Sequence, residues 1–96
     1  MLRKNKKGEV TFYFNTAYLA GVRGEYYYFD NHLFAKYQFF KFHKSQITKQ
    51  GDLIKVSVTS KLVTISDEQC SDVQIDLQTL INYNFQKDAL EVQEVL

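Results

Sequence analysis

The sequence predicts an α+β domain: five or six short antiparallel strands, arranged as two hairpins in a curled sheet and followed by one C-terminal amphipathic helix. Three observations predict it. Apolar residues alternate with period two through 10–14, 25–29 and 54–65, the spacing of strands with one buried face. Beyond Ser66 the spacing lengthens to that of a helix with a single apolar stripe. The composition, 8 Phe and 7 Tyr with no Pro and no Trp, favours strands over disorder.

Val10, Phe12 and Phe14 alternate with Thr11 and Tyr13 in the first strand, and Asn15 and Thr16 then supply turn chemistry. Residues 17–22 suit a strand or one helical turn equally, because Ala17, Leu19 and Ala20 fit either; Gly21 and Gly24 close the segment. In 25–29, Tyr26 and Tyr28 alternate with Tyr27 and Phe29 before Asp30 and Asn31, which form a hairpin turn. A two-residue loop there sets Tyr28 opposite Leu33, Tyr27 opposite Phe34, and Glu25 opposite Lys36, a pair of opposite charge. The apolar phase then shifts from odd positions (Leu33, Ala35, Tyr37, Phe39) to even ones (Phe40, Phe42), which predicts a β-bulge at Phe39 and Phe40.

The polar stretch 44–52 reads as a loop. Ile54, Val56 and Val58 begin a second hairpin whose turn at Thr59 and Ser60 sets Val56 opposite Val63 and Ile54 opposite Ile65. Ser66 and Gln69 have capping-box spacing, and Cys70, Val73, Leu77, Leu80, Ile81 and Asn84 share one helical stripe. Residues 88–96 fit a short strand or another helical turn.

A chain of 96 residues holds one core, here residues 9–96 behind a flexible basic tail, 1–8. The lone Cys70 excludes an internal disulfide and fits a reducing, cytoplasmic setting. Neither a membrane-spanning run nor a signal-peptide core is expected. The net charge of +1 conceals a split: residues 1–50 carry nine Lys or Arg and three acids, residues 51–96 three and eight. Such polarity suits either two solvated ends or a basic end that meets phosphate or an acidic protein.

The most suggestive group is the aromatic and basic hairpin face of Tyr27, Phe29, Phe34, Lys36, Lys41 and His43. Exposed rings and cations of this kind make protein interfaces, or stack bases beside neutralised phosphates; a covering helix or second subunit would instead bury them. Arg23, Gly24 and Tyr27 share a little of an RNA-recognition signature, but Glu25 and Tyr26 break it. The glycines of 21–24 have the spacing of a KH clamp loop, yet a Tyr-rich strand follows where a helix is required, so a tight turn fits better.

His32 and His43 lack a third metal ligand, Cys70 lies on the apolar stripe as a small hydrophobe, and Asp72 and Asp76 suit a solvated helix face. Without a phosphate loop, nucleophile elbow or zinc signature, neither enzyme chemistry nor a cofactor is expected. The expected function is a non-catalytic interaction domain of the inhibitor, immunity-factor or adaptor type, which covers part of a larger protein with the hairpin face. The alternative is nucleic-acid binding through Arg3, Lys4, Lys6, Lys7 and Lys44, and a homodimer across the aromatic face is a third possibility.

Overall fold

The structure, a computed structural model, describes residues 9–82 and 90–94. Their elements run β1 (Val10–Asn15), β2 (Leu19–Arg23), β3 (Tyr26–Asp30), β4 (Phe39–His43), β5 (Ile47–Gln50), β6 (Leu53–Val58), β7 (Leu62–Ser66), β8 (Asp72–Asp76), α1 (Leu77–Asn82) and β9 (Leu90–Glu94). The α+β class holds. There are more strands than expected, and they form two antiparallel sheets, β5-β6-β1-β9 and β2-β3-β4-β7-β8, where one curled sheet was expected.

The two sheets share one core. Val10, Phe12 and Phe14 of β1 and Ile54, Val56 and Val58 of β6 meet Phe29 of β3, Phe40 and Phe42 of β4, and Val63 and Ile65 of β7. Phe14 stacks on Phe29 across the interface with ring centroids 4.1 Å apart, and Phe12 lies 5.8 Å from Phe42. Each fully buried ring contributes about 1.5–3 kcal/mol by leaving water, and ring pairing adds about 0.5–1.5 kcal/mol.

Short turns, each closed by a polar side chain, carry the chain between sheets. Asn15 Oδ1 accepts the Ala17 N–H at 3.0 Å and caps a 3₁₀ turn, Thr16–Tyr18. This turn delivers the chain to β2, so 17–22 contains a helical turn followed by a strand. A second 3₁₀ turn, Lys44–Gln46, follows β4 and returns the chain to the four-stranded sheet. There His43 Nδ1 accepts the Ser45 N–H at 3.1 Å and Gln46 Oε1 accepts the His43 N–H at 2.9 Å. The other end of the Gln46 amide donates to the Ser57 carbonyl of β6 at 3.2 Å, so one side chain joins the two sheets. The expected loop at 44–52 thus holds this turn and β5.

Four local expectations are corrected. The first hairpin does not turn at Asp30 and Asn31: β3 pairs with β4 in the register Tyr26↔His43, Tyr28↔Lys41 and Phe29↔Phe40, with residues 31–38 as its loop. Asn31 does supply the turn chemistry, accepting the Leu33 N–H at 2.8 Å and donating to the Tyr37 carbonyl at 2.7 Å, but it organises a longer loop. The apolar phase changes at Phe39 and Phe40 because a loop ends there and a strand begins. The register shift lies instead in β2, between Leu19 and Gly21.

The second hairpin is absent, since β6 pairs with β1 and β5 while β7 pairs with β4 and β8. The turn after Val58 crosses between sheets, and alternate residues face the core in a crossing as they do in a hairpin. Nor does a helix start at Ser66, which ends β7 fully buried. Asp67 Oδ1 accepts the Gln69 and Ser71 N–H groups at 3.0 and 2.8 Å, Cys70 adopts a left-handed φ of 62°, and β8 follows. The helix begins only at Leu77, where Asp76 Oδ1 accepts the Gln78 N–H at 2.7 Å as an N-terminal cap. Asn84 and the basic tail lie outside the described residues, and of 88–96 the segment Leu90–Glu94 is a strand paired with β1.

Candidate functional site

Register decides which hairpin side chains face outward. Because Tyr27 lies opposite Phe42 and Phe29 opposite Phe40, both enter the core: Phe29 is fully buried and Tyr27 packs half-buried against the cluster. Phe34, in the 31–38 loop, also packs against the core, and Lys36 is exposed in that loop with its ammonium 5.6 Å from the Tyr37 ring. Of the six expected face residues, Lys41 and His43 therefore remain on the outer face, whereas Tyr27, Phe29 and Phe34 are corrected to core or core-packing positions. Lys44 is exposed in the turn after β4, its N–H bonded to the Glu25 carbonyl at 2.8 Å. Arg3, Lys4, Lys6 and Lys7 fall outside the described residues.

The outer face of β2, β3 and β4 carries a different set: Arg23, Tyr26, Tyr28, Phe39, Lys41 and His43. Lys41 is at its centre. Its Nζ lies 4.3 Å from the Tyr26 ring centroid and donates to Asp72 Oδ2 at 2.6 Å. Tyr26 meets His43 edge-on at 5.3 Å, and Tyr28 meets Phe39 edge-on at 6.1 Å. Arg23 lies over Tyr28 with its guanidinium carbon 5.4 Å from the ring centroid, and donates through Nη1 to Cys70 Sγ at 2.7 Å. The turn at 67–71 thus brings Cys70 onto this face, away from the apolar helix stripe expected for it. Tyr28 is nearly buried beneath these neighbours, while Tyr26 stays 38% exposed.

Sequence periodicity separates Tyr26 and Tyr28 from Tyr27 and Phe29 but does not say which pair faces inward. The even positions of Phe40 and Phe42 carry only half of the missing signal: in the observed register, whose partner numbers sum to an odd value, they bring odd residues of β3 into the core, but the parity of that sum is set by the loop between the strands. Asp72 and Cys70 join the site from far along the chain, and no local pattern foretells them.

Two side chains hold protons more tightly here than in water. Burial, and then the hydrogen bond with Cys70, raise the Tyr28 pKa; the hydrogen bond to Asp72 raises that of Lys41 against the opposing effect of burial. Above the ordinary Tyr and Lys values, about pH 10 to 10.4, the unfolded chain releases protons that the folded chain keeps, so stability falls as pH rises. Urea midpoints are expected to fall above about pH 10, and less steeply in Tyr28→Phe, which keeps the ring. Identical alkaline curves for the two proteins would refute this assignment. Exposed ion pairs of this kind contribute at most about 1 kcal/mol, so Lys41–Asp72 orients the face more than it stabilises the fold.

His32 lies edge-on to Tyr18 at 6.2 Å, and no group of three His, Cys, Asp or Glu among the described residues is placed to hold a metal ion. No helix among them is long and apolar enough to cross a membrane. No protein-family model, curated protein or solved structure matches this chain.

Proposed function

We propose that this chain is a small non-catalytic protein-interaction domain that binds a larger protein with the outer face of β2, β3 and β4. The observation that carries this reading is the array around Tyr26: a partly exposed ring flanked by Lys41 and His43, with Arg23 and Tyr28 beside it. Tyr and Arg are the residue types enriched at the energetic centres of protein interfaces. The rings and cations here are already held against one another, so little side-chain freedom is left to lose on binding.

Three of the four sheet edges favour a face over an edge as the docking surface. β2 is interrupted by its register shift, β5 carries Lys49, and β8 carries Asp72 and Asp76, all devices that discourage strand addition. Within this reading the chain acts as an inhibitor, immunity factor or adaptor in the cytoplasm, where Cys70 stays a thiol.

Capture of partners from native lysate by the tagged protein, with nuclease and high salt, tests the proposal against the variant Arg23→Ala/Tyr26→Ala. Both side chains are exposed, so the melting temperature is expected to stay within a few degrees of the parent. The expected result is one protein that resists nuclease and salt and whose yield drops at least tenfold with the variant. Undiminished capture would remove this face from consideration. Loss on nuclease treatment would favour nucleic-acid binding, and the basic tail would then be the segment to delete.

A further inference from the structure

The outer face of the five-stranded sheet is divided by charge. On β8, Val73 lies opposite the buried Ile65 and Ile75 opposite the buried Val63, so Asp72 and Asp76 point the other way, outward. Across the sheet, Arg23 and His43 share one cross-strand row with Tyr26 between them, and Lys41 leans onto the same ring. The face is therefore basic over β2, β3 and β4 and acidic over β8.

The basic side chains are not equivalent. The charge of Lys41 is answered by Asp72 at 2.6 Å. His43 turns its Nδ1 back into its own turn, where it accepts the Ser45 N–H at 3.1 Å. Arg23 is exposed, and its contacts are a thiol and a ring: Nη1 donates to Cys70 Sγ at 2.7 Å, and the guanidinium carbon lies 5.4 Å from the Tyr28 centroid. Among the described residues no carboxylate is placed to pair with it. These two contacts hold the guanidinium in place and leave its other N–H groups facing a partner. A planar fork of this kind matches a carboxylate with two parallel hydrogen bonds.

A protein that covers this face takes Arg23 out of water. Burying a guanidinium without an anion is strongly unfavourable, whereas Lys41 enters the interface already paired. From this difference we infer that the partner brings an acidic side chain, Asp or Glu, to Arg23 beside Tyr26. The inference rests on the protein-binding reading and adds the partner's chemistry to it. The acids of β8 oppose a nucleic-acid backbone, whose charge continues along its length, but not a single carboxylate over β2.

The probe is the protein that the parent chain captures from native lysate in the presence of nuclease, identified by mass spectrometry and purified. Calorimetric titration compares its affinity for the parent with that for Arg23→Gln, Arg23→Lys and Arg23→Glu, all at an exposed position; melting temperatures within a few degrees of the parent show that each variant is folded. The expected loss is at least about tenfold for Arg23→Gln and larger for Arg23→Glu. Arg23→Lys is expected to fall between the parent and Arg23→Gln, because it keeps the charge but not the fork. When the partner's Asp and Glu residues are replaced one at a time by Arg, one variant is expected to bind the parent poorly and to restore binding to Arg23→Glu by at least about tenfold. Binding that is lost in Tyr26→Ala but equal in the parent and Arg23→Gln, or the lack of any partner substitution that rescues Arg23→Glu, would overturn the inference and leave the face. Absence of a captured protein, capture undiminished in Arg23→Ala/Tyr26→Ala, or capture lost on nuclease treatment would overturn the face and the inference with it.

Discussion

Phe29→Ala is expected to cost about 3–5 kcal/mol, a large share of the roughly 5–15 kcal/mol by which a domain of this size is stable. Phe29 is fully buried, stacks on Phe14 from the opposite sheet at 4.1 Å, and lies 6.1 Å from Phe42. Truncating it removes the ring that joins β3 to β1 and leaves a cavity between two hydrogen-bonded sheets, which cannot close over it without breaking their ladders. Urea unfolding measures the loss, with Tyr26→Ala as the reference on the same strand. Tyr26 is partly exposed on the outer face, so its truncation is expected to cost about 1 kcal/mol or less. A cost for Phe29→Ala within about 0.5 kcal/mol, the range of surface substitutions, would return Phe29 to the surface and overturn the observed register.

Leu80→Ala is the second large effect, at about 2–5 kcal/mol. α1 spans only six residues, too short to persist on its own propensity. Leu80 is its one buried side chain and belongs to the core shared by both sheets; Leu77 packs partly against that core, and the Leu77 N–H reaches the Lys61 carbonyl at 2.8 Å. Losing Leu80 therefore detaches the helix as well as emptying part of the core. Val73→Ala supplies the contrast. The long helix read from the sequence places Val73 and Leu80 on the same buried stripe, but in the folded chain Val73 lies 37% exposed on the edge strand β8. A small effect, within about 0.5 kcal/mol, is expected there, measured by the same urea titrations. Equal losses at the two positions would restore the helix that began at Ser66.

Both contrasts trace to features that the sequence expresses only in part. Phe12, Phe14, Phe40, Phe42, Ile54, Val56, Val63 and Ile65 are legible as inward positions because period two needs only neighbouring residues. Their sheet assignment is not legible, because a strand's alternation is the same whichever strand pairs with it. The segment 70–77 shows the other failure. Val73 and Leu77 are four apart and fit one helical face, yet Val73 and Ile75 alternate equally well as a strand, and a long-range ladder with β7 chose the strand.

At the candidate site the same division holds. Lys41 and His43 were legible as outward once Phe40 and Phe42 were inward. The choice between Tyr26 with Tyr28 and Tyr27 with Phe29 depended on where β3 begins to pair with β4, hence on the length of the 31–38 loop, which its composition does not disclose.

The sequence by itself determined the α+β class, the apolar alternation that builds the core, the turn chemistry of Asn15 and Asn31, and the aromatic and basic character of the β3–β4 hairpin. Only the tertiary structure decided that there are two sheets, which Tyr residues lie outside, and that Asp72 and Cys70 stand beside Lys41 and Arg23. The physical reason is that side-chain period and turn propensity act over a few residues, whereas sheet partnership is set by the burial gained when segments distant in the chain meet.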